Sequence, residues 1–174
     1  PDDRLTFLGG GTYPHAVPAV VGEVINRGEF LTAYAGEPYE DHGRFQALFE
    51  YASEMGELLQ TDVVTIPTYD GFQATSTALA MSGRITGRRT VLLVSDAEVD
   101  KLSRITDFVA AMEVKQVPTR GAVADLDAVA EALNDQVAAI WVETPSATGA
   151  VEQALPRLAE LAHGAGALLV VGTD

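Results

Sequence analysis

The 174-residue chain contains no cysteine. It can form neither a disulfide nor a thiolate metal site, and this usage leads to the expectation of a cytoplasmic protein. Lysine is almost as scarce: Lys101 and Lys115 are the only two, against nine arginines. Basic charge as a whole is outnumbered, with 11 Lys and Arg against 25 Asp and Glu and a net charge of −14. Such a chain lacks the clustered cations that replace counterions along a phosphate backbone, which argues against nucleic-acid binding. No apolar run approaches the roughly 20 residues that span a bilayer. Pro1-Asp2-Asp3-Arg4 carries no basic segment followed by an apolar one, so no secretory leader is read there. An acidic, lysine-poor surface fits either a salty cytoplasm or a codon bias, and composition alone does not separate the two.

Several catalytic signatures are also missing. No G-x-S-x-G elbow and no Walker pattern occurs. Gly9-Gly10-Gly11 precedes no strand–helix unit and reads as a tight N-terminal turn rather than a dinucleotide fingerprint. His15, His42 and His163 lack metal-ligand spacing. His163 reads as a dipole-favoured residue at a helix C-terminus, and His42 as a solvated loop residue.

What is present is the material of one globular domain, with 47% hydrophobic and 21% charged residues. Five short apolar runs punctuate it: Val63–Ile66, Val91–Val94, Val114–Val117, Ala138–Val142 and Ala167–Val171. None alternates with polar residues, which predicts strands covered on both faces of a parallel sheet. Helical patterns lie between them. Asp125 is placed to cap Leu126–Leu133, and Pro156 suits the first turn of a helix ended by His163-Gly164-Ala165-Gly166. The alternation predicts an α/β fold, a mainly parallel sheet with flanking helices. Two amphipathic helices precede it, His15–Arg27 and Arg44–Leu59, joined by a long aromatic connector. Residues 1–60 are therefore expected to form a helical arm and loop, and 61–174 an α/β domain. The missing initiator Met, and the ending on Thr173-Asp174 directly after an apolar run, lead to the expectation of a piece of a longer protein.

Two places are candidates for a site. Val63–Ile66 is followed by Pro67-Thr68-Tyr69-Asp70-Gly71 and then by the small-residue helix that opens at Phe72. A strand, turn and helix in this order direct free N–H groups and a positive helix end at whatever lies above the turn, most often a phosphate. The plainer reading is that Asp70 caps a core helix. Asp174 stands at the carboxyl end of a strand, where ligands gather in open α/β sheets, and could pair with a cationic ring nitrogen.

These segments together resemble the glycine cleavage system P-protein, specifically the first subunit of its split form. The resemblance is carried by Phe7-Leu8-Gly9-Gly10-Gly11 with Tyr13, His15 and Pro18-Ala19-Val20, and by Arg27-Gly28-Glu29-Phe30 with Thr32-Ala33-Tyr34. Gln46-Ala47-Leu48-Phe49-Glu50-Tyr51, Tyr69-Asp70-Gly71 and Ala162-His163 with Ala165-Gly166-Ala167 extend it. It implies a partial large domain of the fold-type-I pyridoxal-phosphate transferase fold, with two further strands and a small domain outside this sequence. It implies a role in pyridoxal-phosphate-dependent decarboxylation of glycine, with aminomethyl transfer to a lipoyl H-protein. In the split form the lysine that holds pyridoxal phosphate belongs to a second subunit, and the pair forms a heterotetramer. No covalently bound cofactor and no catalytic residue is then expected here. Tyr69, Asp70, Gly71 and Asp174 would be a vestigial cofactor cradle, and Phe30, Thr32, Tyr34 and Tyr39 a loop touching partner or substrate. Lys101 and Lys115 read as surface residues. A sheet lacking strands is expected to expose an edge and to self-associate. The sequence leaves the family pattern after Tyr34, at Glu98-Val99 where His-Pro is usual, and at Pro145-Ser146-Ala147-Thr148-Gly149 where Pro-Asn-Phe-Phe-Gly is usual. Those departures keep open a degenerate, non-catalytic paralogue acting as a structural or regulatory partner. A fragment of another fold-type-I enzyme is the remaining alternative.

Overall fold

The computed structural model describes residues 15–28, 45–97 and 99–173. The chain divides into two compact units, Pro1–Thr68 and Tyr69–Asp174.

In the first unit α1 spans Ala19–Ile25, shorter than the periodicity of 15–27 predicts. Pro18 disfavours the helical conformation at Val17, the residue before it, so the helix begins after that point. α2 spans Phe45–Leu59. It half-buries Leu48, Ala52 and Met55, and leaves Phe49 and Leu59 exposed. Its end is a Schellman motif, in which Thr61 N–H donates to Gly56 O at 3.0 Å and Gln60 N–H to Glu57 O at 3.4 Å. Gln60 fills the left-handed position with φ 53°, where glycine is the unstrained choice. The segment Val63–Ile66 forms no strand. A short β-branched run makes a strand only with a ladder partner. Among the described residues this segment has none, Val63 is 80% exposed, and Pro67 removes the next donor.

The second unit begins with α3, Gly71–Thr86, and continues through β1 (Thr90–Val94), α4 (Val99–Phe108) and β2 (Glu113–Val117). A hairpin follows, β3 (Thr119–Arg120) and β4 (Val123–Ala124), and then α5 (Leu126–Ala132), β5 (Val137–Glu143), α6 (Leu155–Gly164) and β6 (Leu168–Gly172). The main sheet is parallel in the order β2-β1-β5-β6, with a register shift between Thr90 and Val91. Strand alternation divides the core into two layers. Val91, Leu93, Ala139 and Trp141 pack with Leu79 of α3 and Leu102 and Ile105 of α4. Leu92, Val94, Ile140 and Val142 pack with Val129 of α5 and Leu158 and Ala162 of α6. Each fully buried Leu, Ile or Val contributes about 1.5–3 kcal/mol of transfer free energy, so the central strands dominate the stability of the layer.

Continuous apolar runs correctly foretell β1 and β5, which are buried on both faces up to the half-buried end at Glu143. β2 and β6 differ because they are the edges of the described sheet: β2 is largely exposed and β6 only half-buried. At the amino edge, Arg88 Nη1 donates to Val137 O at 2.9 Å and Ala165 O at 2.8 Å. Gly166, at φ 70°, leaves room for that guanidinium, since a Cβ there would lie 2.8 Å from Nη2.

Candidate functional site

From β1 the chain steps to β2 on one side, then crosses to β5 on the other side of β1. The switch point lies between the carboxyl ends of β1 and β5, the place where open parallel sheets form a crevice. Two loops diverge there, one beginning at Ser95 and one running from Thr144 to Ala154.

These loops are bonded to each other. Asp96 Oδ2 accepts from Thr148 Oγ1 at 3.0 Å, and Oδ1 from Ala147 N–H at 3.3 Å. Ser146 is buried and turns the second loop on itself, its Oγ accepting from the N–H groups of Thr148 and Ala150 at 3.3 and 3.2 Å. Lys101, in the first turns of α4, pairs with Glu143 at the end of β5. Glu152 is buried, and its two carboxylate oxygens accept from Ala124 N–H and Ala154 N–H, each at 2.7 Å. One carboxylate thereby joins the β3–β4 hairpin to the start of α6. Asp125 caps α5; burial raises its pKa, but the Ala128 N–H and the neighbouring Arg120 outweigh this and hold it below its ordinary value.

The C-terminus of α3 leads into the amino end of β1, so its N-terminus points to the carboxyl edge. Asp70 caps it, with Oδ1 accepting from Gln73 N–H at 2.8 Å. Gln73 Oε1 in turn accepts from Tyr69 N–H at 3.0 Å, a capping box displaced by one residue. Ala74 N–H is taken by Asp70 O at 3.1 Å. Tyr69 is 78% exposed, and a Cβ on Gly71 would meet nothing within 4 Å. The first turn is tied to α4 through Arg104, whose guanidinium lies 5.2 Å from the Phe72 ring centre.

Beneath this edge Trp141 is fully buried with its Nε1 unbonded, and Ser76 Oγ of α3 is likewise without a partner. The indole passes over Gly172, where an added Cβ would lie 3.4 Å from Nε1.

Of the residues named from sequence, Tyr69, Asp70 and Gly71 are together at the α3 terminus. Asp174, Phe30, Thr32, Tyr34 and Tyr39 lie outside the described residues. Lys115 pairs with Glu113 on the exposed edge strand. Lys101 departs from its expected surface role: it is half-buried and held at the carboxyl edge, because Glu143 attracts it. Sequence reasoning named Ser146 and Thr148 only within a loop that leaves the family pattern and missed Asp96 and Glu152, whose bonds to Ala147, Thr148 and Ala124 join residues far apart in the chain. Among the described residues no group of His, Asp and Glu could hold a metal ion, and no helix is long and apolar enough to cross a membrane.

These residues do not fit a covalently held pyridoxal phosphate. Both lysines of the chain are ion-paired, and a phosphate at the α3 terminus would meet the Asp70 carboxylate. No chemical step through that group is assigned to this chain.

Comparison with known proteins matches residues 3–174 to the glycine cleavage system P-protein family. The chain belongs to that family. A curated relative from Geotalea daltonii, "Probable glycine dehydrogenase (decarboxylating) subunit 1", is 39% identical over 173 residues, 95% of this chain and 38% of its own length. A relative of the same name from Thermococcus kodakarensis is 38% identical over 174 residues, 97% of this chain and 38% of its own length. A crystal structure of glycine decarboxylase (P-protein) of the glycine cleavage system, in inhibitor-bound form, superposes with a TM-score of 0.83 at 35% identity. That match covers 97% of this chain and 38% of the other. A NifS-like protein shares the fold alone, with a TM-score of 0.64 at 15% identity, over 90% of this chain and 46% of its own. This P-protein family chain thus spans about 38% of the length of the relatives it matches. The match includes all three segments at which its sequence leaves the family pattern.

Proposed function

We propose that this chain is part of the non-cofactor-bearing subunit of glycine dehydrogenase (decarboxylating). It supports pyridoxal-phosphate-dependent decarboxylation of glycine, with aminomethyl transfer to a lipoyl H-protein, while a second subunit supplies the cofactor and its lysine. Membership of the P-protein family, in a chain whose only two lysines are both ion-paired, carries this reading. In it, residues 1–60 are a helical arm and 61–174 part of the large domain. Tyr69, Asp70 and Gly71 keep the shape of a cofactor cradle in vestigial form, with Asp70 serving as a cap, and Asp174 belongs to the same remnant. Phe30, Thr32, Tyr34 and Tyr39 contact the partner or the substrate, and the complex is cytoplasmic. The outer edge of β6, unpaired among the described residues, is where the chain alone would self-associate.

The test is co-expression with a lysine-bearing homologue, followed by an assay of glycine-dependent exchange of carbon dioxide. Activity that disappears when this chain is left out supports the subunit reading. Unchanged activity overturns it in favour of a structural or regulatory partner. Absorbance of a lysine-bound aldehyde cofactor in this chain alone, lost on lysine modification, also overturns it.

A further inference from the structure

We propose that the α3 side of the sheet's carboxyl edge is a binding site for one uncharged carbonyl oxygen, received by the indole N–H of Trp141 and the hydroxyl of Ser76. Among the described residues these are the only two buried side-chain polar atoms without a hydrogen-bond partner. Trp141 is 0% and Ser76 4% exposed, so bulk solvent does not serve them. A buried donor left unbonded costs free energy, and protein cores contain few such groups.

Both donors face one layer. Trp141 packs in the cluster with Leu79 of α3, and Phe72 and Val170 lie against that cluster. Ser76 falls between Phe72 and Leu79 on the same face of α3, about 7 Å along the helix from Gly71. The indole reaches toward the edge. Trp141 is level with Val170 in the ladder, yet its Nε1 lies over Gly172, the last residue of β6. A Cβ on Gly172 would lie 3.4 Å from Nε1, in the space where an acceptor sits at about 2.9 Å. Ser76 is not unbonded for want of a carbonyl. Ser82, Thr86 and Thr106 each donate to the carbonyl four residues back, at 2.9, 2.8 and 2.8 Å. Ser76 makes no such bond to Phe72 O, so its hydroxyl stays available.

The surroundings select the ligand. Two donors require an acceptor, and the layer around them is built from Leu, Ile, Val, Ala and Phe side chains. Arg104, 5.2 Å from the Phe72 ring centre, is already paired with Asp100, and Asp70 places a carboxylate at the end of the same helix. An anion without a free counter-ion is heavily penalised in such a layer, and the net charge of −14 repels it. An uncharged carbonyl is satisfied by the same two donors. It comes either from a small amide or from a peptide group of a second subunit packed on the edge.

The single tryptophan of the chain reads the site directly, through the indole N–H resonance of the isotope-labelled protein. N-methylacetamide, a peptide-group analogue, is titrated into the chain, with acetate as the anionic comparison. A co-expressed lysine-bearing second subunit is the other source. The expected result is a downfield shift that saturates with the amide and is absent with acetate. A shift present in the complex before any amide is added assigns the oxygen to the second subunit, and a shift with the amide alone assigns it to a small molecule. Gly172→Ala should fold and lose the response. Ser76→Ala should weaken the amide roughly tenfold, yet raise the Tm of the free chain by about 2–4 °C, because it removes a buried, unbonded hydroxyl. A resonance moved by neither the amide nor the subunit overturns the proposal. So does an equal response to acetate, or a fall in Tm on Ser76→Ala, which would show the hydroxyl already bonded within the chain. If either variant does not fold, the wild-type titrations still decide. Only the second-subunit comparison rests on the proposed subunit role, and the titrations of the chain alone stand or fall without it.

Discussion

Asp70 carries the sharpest test, because a cap and a ligand-holding carboxylate respond oppositely to its removal. Asp70→Ala deletes the acceptor of the Gln73 N–H bond and the negative charge at the α3 terminus. Loss of an N-cap costs about 1 kcal/mol, and loss of the charge–dipole interaction a further ~0.3–1 kcal/mol at low ionic strength. Because the site is exposed, the second contribution should vanish in high salt while the first persists. Asp70→Asn retains a capping oxygen, so it should lose only the second contribution and approach wild type in high salt. In a chain of this size 1 kcal/mol corresponds to about 2–4 °C in Tm. Urea unfolding and thermal melts of wild type, Asp70→Ala and Asp70→Asn, each at two salt concentrations, give the six values needed. Equal destabilisation in the two variants at high salt would refute the cap. A gain in stability on Asp70→Ala would refute it more strongly, since groups held for a ligand are often kept at a cost to the fold.

Other perturbations probe the surrounding fold. Arg88→Met should lower stability by about 2–3 kcal/mol in urea unfolding, because it removes two charge-assisted bonds that join the β5 and β6 entry loops. Arg88→Lys should recover only part, since an ammonium does not reproduce the planar fork. Gln60→Gly should raise stability by about 0.5–1 kcal/mol by relieving the left-handed position that ends α2. Glu113 accepts from Thr90 Oγ1 at 2.9 Å, and that bond, followed by Lys115, holds its pKa below the ordinary glutamate value. A lowered folded-state pKa gives stability that is present above the unfolded value and lost as pH falls through the folded one. Thr90→Val should therefore flatten the acid limb of the stability–pH curve, as measured by unfolding at neutral and acidic pH.

The parts of the fold legible in the sequence are those governed by local rules. Unbroken apolar runs mark β1 and β5, and cap and stop residues bound α3, α5 and α6. Val63–Ile66 misleads because β-branched residues signal only the capacity to pair, and pairing needs a neighbour. The β3–β4 hairpin escapes notice because its turn combines Gly121 with Ala122 at φ 67°, not the Asn-Gly pair that signals such turns. The bonds at the carboxyl edge are hidden for a different reason. Asp96 and Thr148 lie 52 residues apart, Lys101 and Glu143 lie 42 apart, and no periodicity relates them.

Those long-range bonds change the meaning of two of the three segments that leave the family pattern. Read singly, Glu98-Val99 and Ser146-Ala147-Thr148 look like independent losses. In the structure the second loop is held by Asp96, two residues before Glu98, through the Ala147 N–H and the Thr148 hydroxyl. Thr148 supplies a donor that a phenylalanine side chain would not, and Ser146 takes two further N–H groups of the same turn. Independent drift would leave some of these groups without partners, at a cost of about 1–3 kcal/mol for each buried one. Instead the edge is closed by its own bonds and fixed at Glu143 and Glu152. A surface already ordered in this way loses little conformational entropy when another protein packs on it. An edge ordered in this way is consistent with the supporting-subunit reading proposed above.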